Sequence, residues 1–139
     1  CRTGCKAESA SAALTAARRG GLVAGGAAAL PRAAWAARTG LPTGLAGEVL
    51  GRLLRAATEA PLRAIVRNAG EDADRLVPRL VQDEPATFDA ERRAAVPLDR
   101  LREPLPVVLA AFRNAIATAG RLVTIDCALG APSSGRARG

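Results

Sequence analysis

The stretch Thr58-Glu-Ala-Pro-Leu-Arg-Ala-Ile-Val-Arg-Asn-Ala-Gly-Glu71 decides how this chain is read. Pro61 suits the first turn of a helix, where its missing N–H removes a donor that would be unpaired anyway, and Gly70 suits the left-handed conformation that ends one. The segment therefore predicts a short helix from Pro61 to Ala69. Leu62, Ile65, Val66 and Ala69 fall at i, i+3, i+4 and i+7, which puts them on one buried face and points Arg63 and Arg67 outward. Spacing of this kind is that of an ordinary amphipathic helix and by itself carries no function.

Working outward, Ala7 to Arg19 is alanine-rich and bounded by Gly20-Gly21, the pattern of a helix with a flexible stop. A second helix is expected from about Gly26 to Arg38, with Trp35 as its one large anchor and with Pro31 imposing a kink or a late start. Thr39 to Gly44 reads as a loop, and Leu45 to Ala60 as a third helix with Val49, Leu50, Leu53 and Leu54 on one face. Beyond the Pro61 segment, Asp72 to Gln82 reads as a helix with Leu76, Val77 and Leu80 inward. Glu84 to Arg102 is irregular, Pro106 to Arg121 is a long helix, and Leu122 to Cys127 is strand-like. The tail from Gly130 has nothing to bury and is expected to be disordered.

Composition narrows the classes of function. The 139 residues have the length of one domain, and 20 Lys plus Arg against 13 Asp plus Glu give a formal net charge of +7, which favours attraction to anionic surfaces. An aromatic content of 2% leaves almost no rings for stacking on bases and argues against nucleic acid as partner. The longest uncharged run, Gly20 to Pro31, falls short of the ~18 to 20 apolar residues of a membrane span. No histidine is present, and Cys1 and Cys5 offer two thiolates where a zinc site wants about four ligands, so no metal site is expected. Three cysteines without a framework suit a reducing, cytoplasmic setting.

The Thr58–Glu71 segment closely resembles a signature segment of the group I, GroEL-type chaperonins. Three further stretches match in the same order. Gly21-Leu-Val-Ala-Gly-Gly-Ala-Ala-Ala-Leu30 is similar to the family's Gly-Val-Val-Ala-Gly-Gly-Gly turn and following helix. Leu101-Arg-Glu-Pro104 stands where the family has Ile-Leu-Asp-Pro, and Ala119-Gly-Arg-Leu-Val-Thr-Ile-Asp-Cys127 resembles its Ala-Gly-…-Thr-Thr-Glu-Cys segment. The resemblance spans about Glu8 to Leu129, although the basic balance departs from a family that is usually acidic. It implies a mainly α, multi-helical portion of the equatorial domain with a small β hairpin and a C-terminal strand. Residues 1–21 would be an intermediate-domain helix and hinge remnant, 22–129 the C-terminal half of the nucleotide-binding equatorial domain, and 130–139 the tail. With Cys1 first and no Met, the chain reads as a fragment, a truncated product or a degenerate copy.

For the chemistry, the resemblance implies ATP with Mg²⁺ as cofactor, other subunits of a ring homo-oligomer, unfolded client proteins and a co-chaperonin as partners, and ATP-driven protein folding as the parent activity. The phosphate loop and the metal-holding acid belong to a part of the family chain not matched here. The water-activating Asp is replaced by Ser9, a hydroxyl that cannot take a proton near neutral pH as a carboxylate does, and Glu8 would leave the helix about 100° away. Gly26 matches the glycine against which adenine lies, and Glu103 the ribose-contacting Asp. Asp89, Ala90 and Glu91 stand for Asn-Ala-Ala, adding carboxylates that repel an anionic ligand. Gly26 is equally a turn residue and Glu103 a surface acid. Arg63 and Asp72 match an Arg and an acid that meet between stacked rings, a contact worth ~0.2 to 1 kcal/mol. The expectation is weak or absent nucleotide binding and no turnover by this chain alone. The alternative, from a different class, is a non-catalytic basic helical module that binds RNA or acidic proteins.

Overall fold

The computed structural model describes residues 2–125, and side chains from residue 8 onward. Five α-helices and two short antiparallel strand pairs make up these residues, so the fold is mainly α. The chain divides into two compact units, Cys1–Val108 and Leu109–Gly139.

Helix α1, Arg2–Gly20, is built largely from alanine and small polar residues and stops at Gly21, whose N–H donates to the Ala17 carbonyl at 2.8 Å. Strand β1, Leu22–Ala24, follows and pairs with a strand far along the chain. Helix α2, Ala29–Ala37, takes the late start expected from Pro31, which sits buried in the first turn where no intrahelical donor is needed. A 3-10 turn, Arg38–Gly40, leads into the expected loop.

The expectation of two helices meeting at Pro61 is corrected. A single helix α3, Leu45–Asn68, runs through the proline. Pro61 cannot donate to the carbonyl one turn back, and local break rules favour a boundary there. Tertiary burial overrides them, because Thr58, Glu59, Leu62 and Val66 are all buried on the two sides of Pro61. Thr58 Oγ1 donates to the Leu54 carbonyl at 2.7 Å, so its buried hydroxyl is satisfied within the helix. The far end behaves as expected: Gly70 has φ +82°, and Glu71 N–H returns to the Val66 carbonyl at 3.1 Å, closing the helix with a left-handed residue.

Asp72 caps the next helix, α4, Ala73–Gln82, by accepting from the N–H groups of Asp74 and Arg75 at 3.0 and 3.1 Å. The core of the first unit lies where α3, α4 and the following hairpin converge. Leu62, Val66, Ala69, Ala73, Val77, Leu80, Val81 and Phe88 are buried together, with Trp35, Ile65 and Leu76 packed against them. Arg32 Nη1 donates to the Leu80 and Glu84 carbonyls at 2.6 and 2.7 Å, fastening α2 to the end of α4.

The hairpin consists of β2, Ala86–Asp89, and β3, Ala94–Pro97, with Phe88 opposite Ala95. Strand β4, Arg102–Pro104, then pairs antiparallel with β1, so that Val23 faces Glu103. Helix α5, Leu105–Val123, begins directly after it. The C-terminal strand is not found where it can be checked. Leu122 and Val123 continue α5, and Thr124 Oγ1 bonds back to the Gly120 and Arg121 carbonyls at 3.1 and 3.0 Å, in helix-ending fashion. Asp126 to Cys127 and the tail 130–139 lie outside the described residues, as do Cys1 and the side chain of Cys5.

Candidate functional site

The turn after β1 is the point at which distant parts of the chain meet. Gly25 N–H donates to the Leu101 carbonyl at 2.8 Å, and Gly26 N–H donates to Glu103 Oε1 at 3.1 Å across 77 residues. From the other side, Thr87 Oγ1 donates to the Gly25 carbonyl at 2.7 Å across 62 residues. Gly26 has φ +66°, and a Cβ placed there would lie 2.8 Å from Thr87 Oγ1 and 2.9 Å from the Phe88 carbonyl oxygen. Glycine is therefore required twice over, by backbone conformation and by the hairpin pressed against it. Ala27 follows at φ 60°, a left-handed alanine where the resembling motif has its last glycine.

Of the residues singled out from the sequence, Gly26 and Glu103 are brought into direct contact. The space that a missing Cβ leaves at Gly26 is taken up by the chain's own Thr87 and Phe88, and one Glu103 oxygen is engaged by the backbone. Asp89 Oδ1 accepts from the N–H groups of Glu91 and Arg92 at 3.0 and 3.1 Å, so its carboxylate shapes the hairpin turn. Ala90 and Glu91 are exposed in that turn. Ser9 is exposed on α1. Among the described residues no cluster of three or more His, Cys, Asp or Glu is arranged to hold a metal ion.

Arg63 and Asp72 are placed separately. Asp72 is the α4 cap, whereas Arg63 pairs with Glu59 at 2.9 Å and with Asp74. Arg63 is thus half-buried and not simply outward-pointing, because Glu59 is buried at 5% side-chain exposure and holds it. Glu59 also accepts from Arg55 Nε at 2.9 Å. Sequence reading passed over Glu59, although Arg55, Glu59 and Arg63 at successive spacings of four announce a charged ladder along one helix face. The Arg38 guanidinium lies 3.8 Å over the Trp35 ring, a second pairing not anticipated from the sequence.

Comparison with curated proteins finds 111 residues of the chain 33% identical to chaperonin GroEL 2 of Cereibacter sphaeroides, covering 76% of this chain and 20% of that protein. That relative is a chaperonin. A second GroEL 2 of the same species matches with the same identity and coverage. The chain spans about a fifth of the length of the curated relatives it matches. No protein-family model matches it. Among the described residues, no helix is long and apolar enough to cross a membrane.

Proposed function

We propose that the chain is a GroEL-like chaperonin segment, equivalent to the C-terminal half of the equatorial domain with a piece of the intermediate domain. The observation that carries this reading is the meeting of Gly26 and Glu103. They come from two of the four sequence stretches that resemble the family, and they join across 77 residues at the place where the resemblance puts the nucleotide. The similarity to GroEL 2 over 111 residues supports it independently.

In this reading the chain acts within a ring of chaperonin subunits that takes unfolded clients and a co-chaperonin, in the cytoplasm, and ATP with Mg²⁺ is bound weakly or not at all by the chain alone. Internal use of the Gly26 face and of the Glu103 carboxylate supports the weak binding, and Ser9 in the general-base position supports the absence of turnover. The test is complementation. The chain is co-expressed with C. sphaeroides GroEL 2 lacking its matching segment, and ring-sized particles are sought by sedimentation and electron microscopy. Co-assembly is expected, with ATP turnover only when Ser9→Asp is also present. A chain that never enters such particles overturns the reading.

The second reading, a basic module for RNA or acidic proteins, has in its favour the exposed Arg92, Arg93, Arg100 and Arg102 and the net charge of +7. An RNA affinity that falls steeply with salt decides for it.

A further inference from the structure

A cavity of about 190 Å³ opens between α2, α3 and α4, walled by Pro31, Trp35, Leu54 and Val81. It takes no part in the Gly26–Glu103 junction. Its size is that at which an apolar cavity accepts one benzene-sized ring. Its lining is almost wholly apolar, and its charged groups are unevenly matched: Arg38 and Arg55 against Glu59. Glu59 is already shared by Arg55 and Arg63, each at 2.9 Å. Arg38 makes no ion pair among the described residues. Its guanidinium donates one N–H to the Trp35 carbonyl at 2.7 Å and stacks on the Trp35 ring, which fixes the planar fork at the rim while leaving further donors unspent.

We propose that this cavity is a binding site for a small aromatic carboxylate, whose ring enters between Trp35, Leu54 and Val81 and whose carboxylate is held by Arg38 at the rim. The charge balance selects the anion. A neutral ring of the same size gains only the apolar burial, and a cationic one meets two guanidinium groups with the single carboxylate already occupied. Arg38 is preorganised by its stack on Trp35, so that binding requires little further ordering of its long side chain.

Trp35 is the one tryptophan of the chain, so its emission reports occupancy directly. The full chain is titrated with benzoate, benzyl alcohol and benzylammonium. Saturable quenching is expected, with benzoate about tenfold tighter than benzyl alcohol and benzylammonium weakest, as a charge-assisted bond to Arg38 implies. Arg38→Gln, at an exposed position, is expected to remove the advantage of benzoate over benzyl alcohol. Ala34→Leu, which fills the cavity, is expected to abolish the response to all three while the far-UV circular dichroism is retained. Equal affinities for the three probes, an unaltered benzoate preference in Arg38→Gln, or a benzoate response that survives Ala34→Leu would each overturn the proposal. The last of these would mark a surface contact between arginine and carboxylate in place of an occupied cavity.

Discussion

Glu59 and Arg63 stand one helical turn apart, and their side chains meet at 2.9 Å on the face of α3 opposite the exposed Pro61. Arg55 grips the same carboxylate from the turn before, so the ion pairs tie successive turns of α3 together along one face. Removing a buried partner costs ~3 to 5 kcal/mol when it strands a buried charge. Here the stranded arginines are 54% and 23% exposed, which discounts the cost. Glu59→Ala is expected to lower stability by about 1 to 2 kcal/mol in urea unfolding and Glu59→Gln by about half as much. A Glu59→Ala chain as stable as the parent would remove the ladder from the account of what stabilises α3.

The β1 turn is expected to respond in opposite directions at adjacent residues. Gly26→Ala adds a Cβ at 2.8 Å from Thr87 Oγ1, and together with the φ of +66° this costs about 3 kcal/mol. Ala27→Gly relieves a left-handed alanine at φ 60° and, after the entropy added to the unfolded chain, gains ~0.5 to 1 kcal/mol. Paired thermal melts of the two variants check the sign at each position.

Arg32→Met keeps the aliphatic stem but strips the donor from the Leu80 and Glu84 carbonyls, each within 2.7 Å of Arg32 Nη1. A charge-assisted bond is worth ~1.5 to 3 kcal/mol, and a loss of about 2 kcal/mol is expected. Faster amide hydrogen exchange should appear first at the end of α4 and the start of the hairpin, and uniform acceleration across the chain would contradict this local role.

Leu45, Val49 and Leu53 repeat every four residues along one side of α3 and stay exposed, Leu53 at 63%. An apolar stripe of this kind drives association. Leu53→Lys is expected to shift the chain toward a smaller sedimenting species at the same concentration, with helix content unchanged.

Where the chain's own residues carried both pattern and punctuation, sequence reading and structure agree. Leu62 and Val66 on one face and Gly70 as terminator each act within a few residues, so their signals are local. Pro61 misled because the rule it obeys is also local, whereas burial of Thr58, Glu59 and Leu62 is decided by α4 and the hairpin. Leu122 and Val123 misled in the same way: a β-branched run invites a strand, yet α5 simply continued through them. The hairpin was reached through resemblance to chaperonins; the Gly26–Glu103 contact was not anticipated, since the resemblance gave each residue separately to a nucleotide and nothing in the spacing of two residues 77 apart announces that they touch. Glu59 was overlooked because carboxylates were sought for catalysis, and its work is mechanical.

The Gly25–Gly26 turn takes its partners from Thr87 and Glu103, 62 and 77 residues downstream. On a ribosome this turn emerges long before either partner exists, so it must wait, open and solvated, through the synthesis of α2, α3, α4 and the hairpin. Loop closure over such separations is entropically costly and comes late. The α3–α4 pair, whose contacts are close in sequence, can assemble first and offer the hairpin a surface. The turn that comes near the beginning of the chain is then among the last parts of it to take its final form.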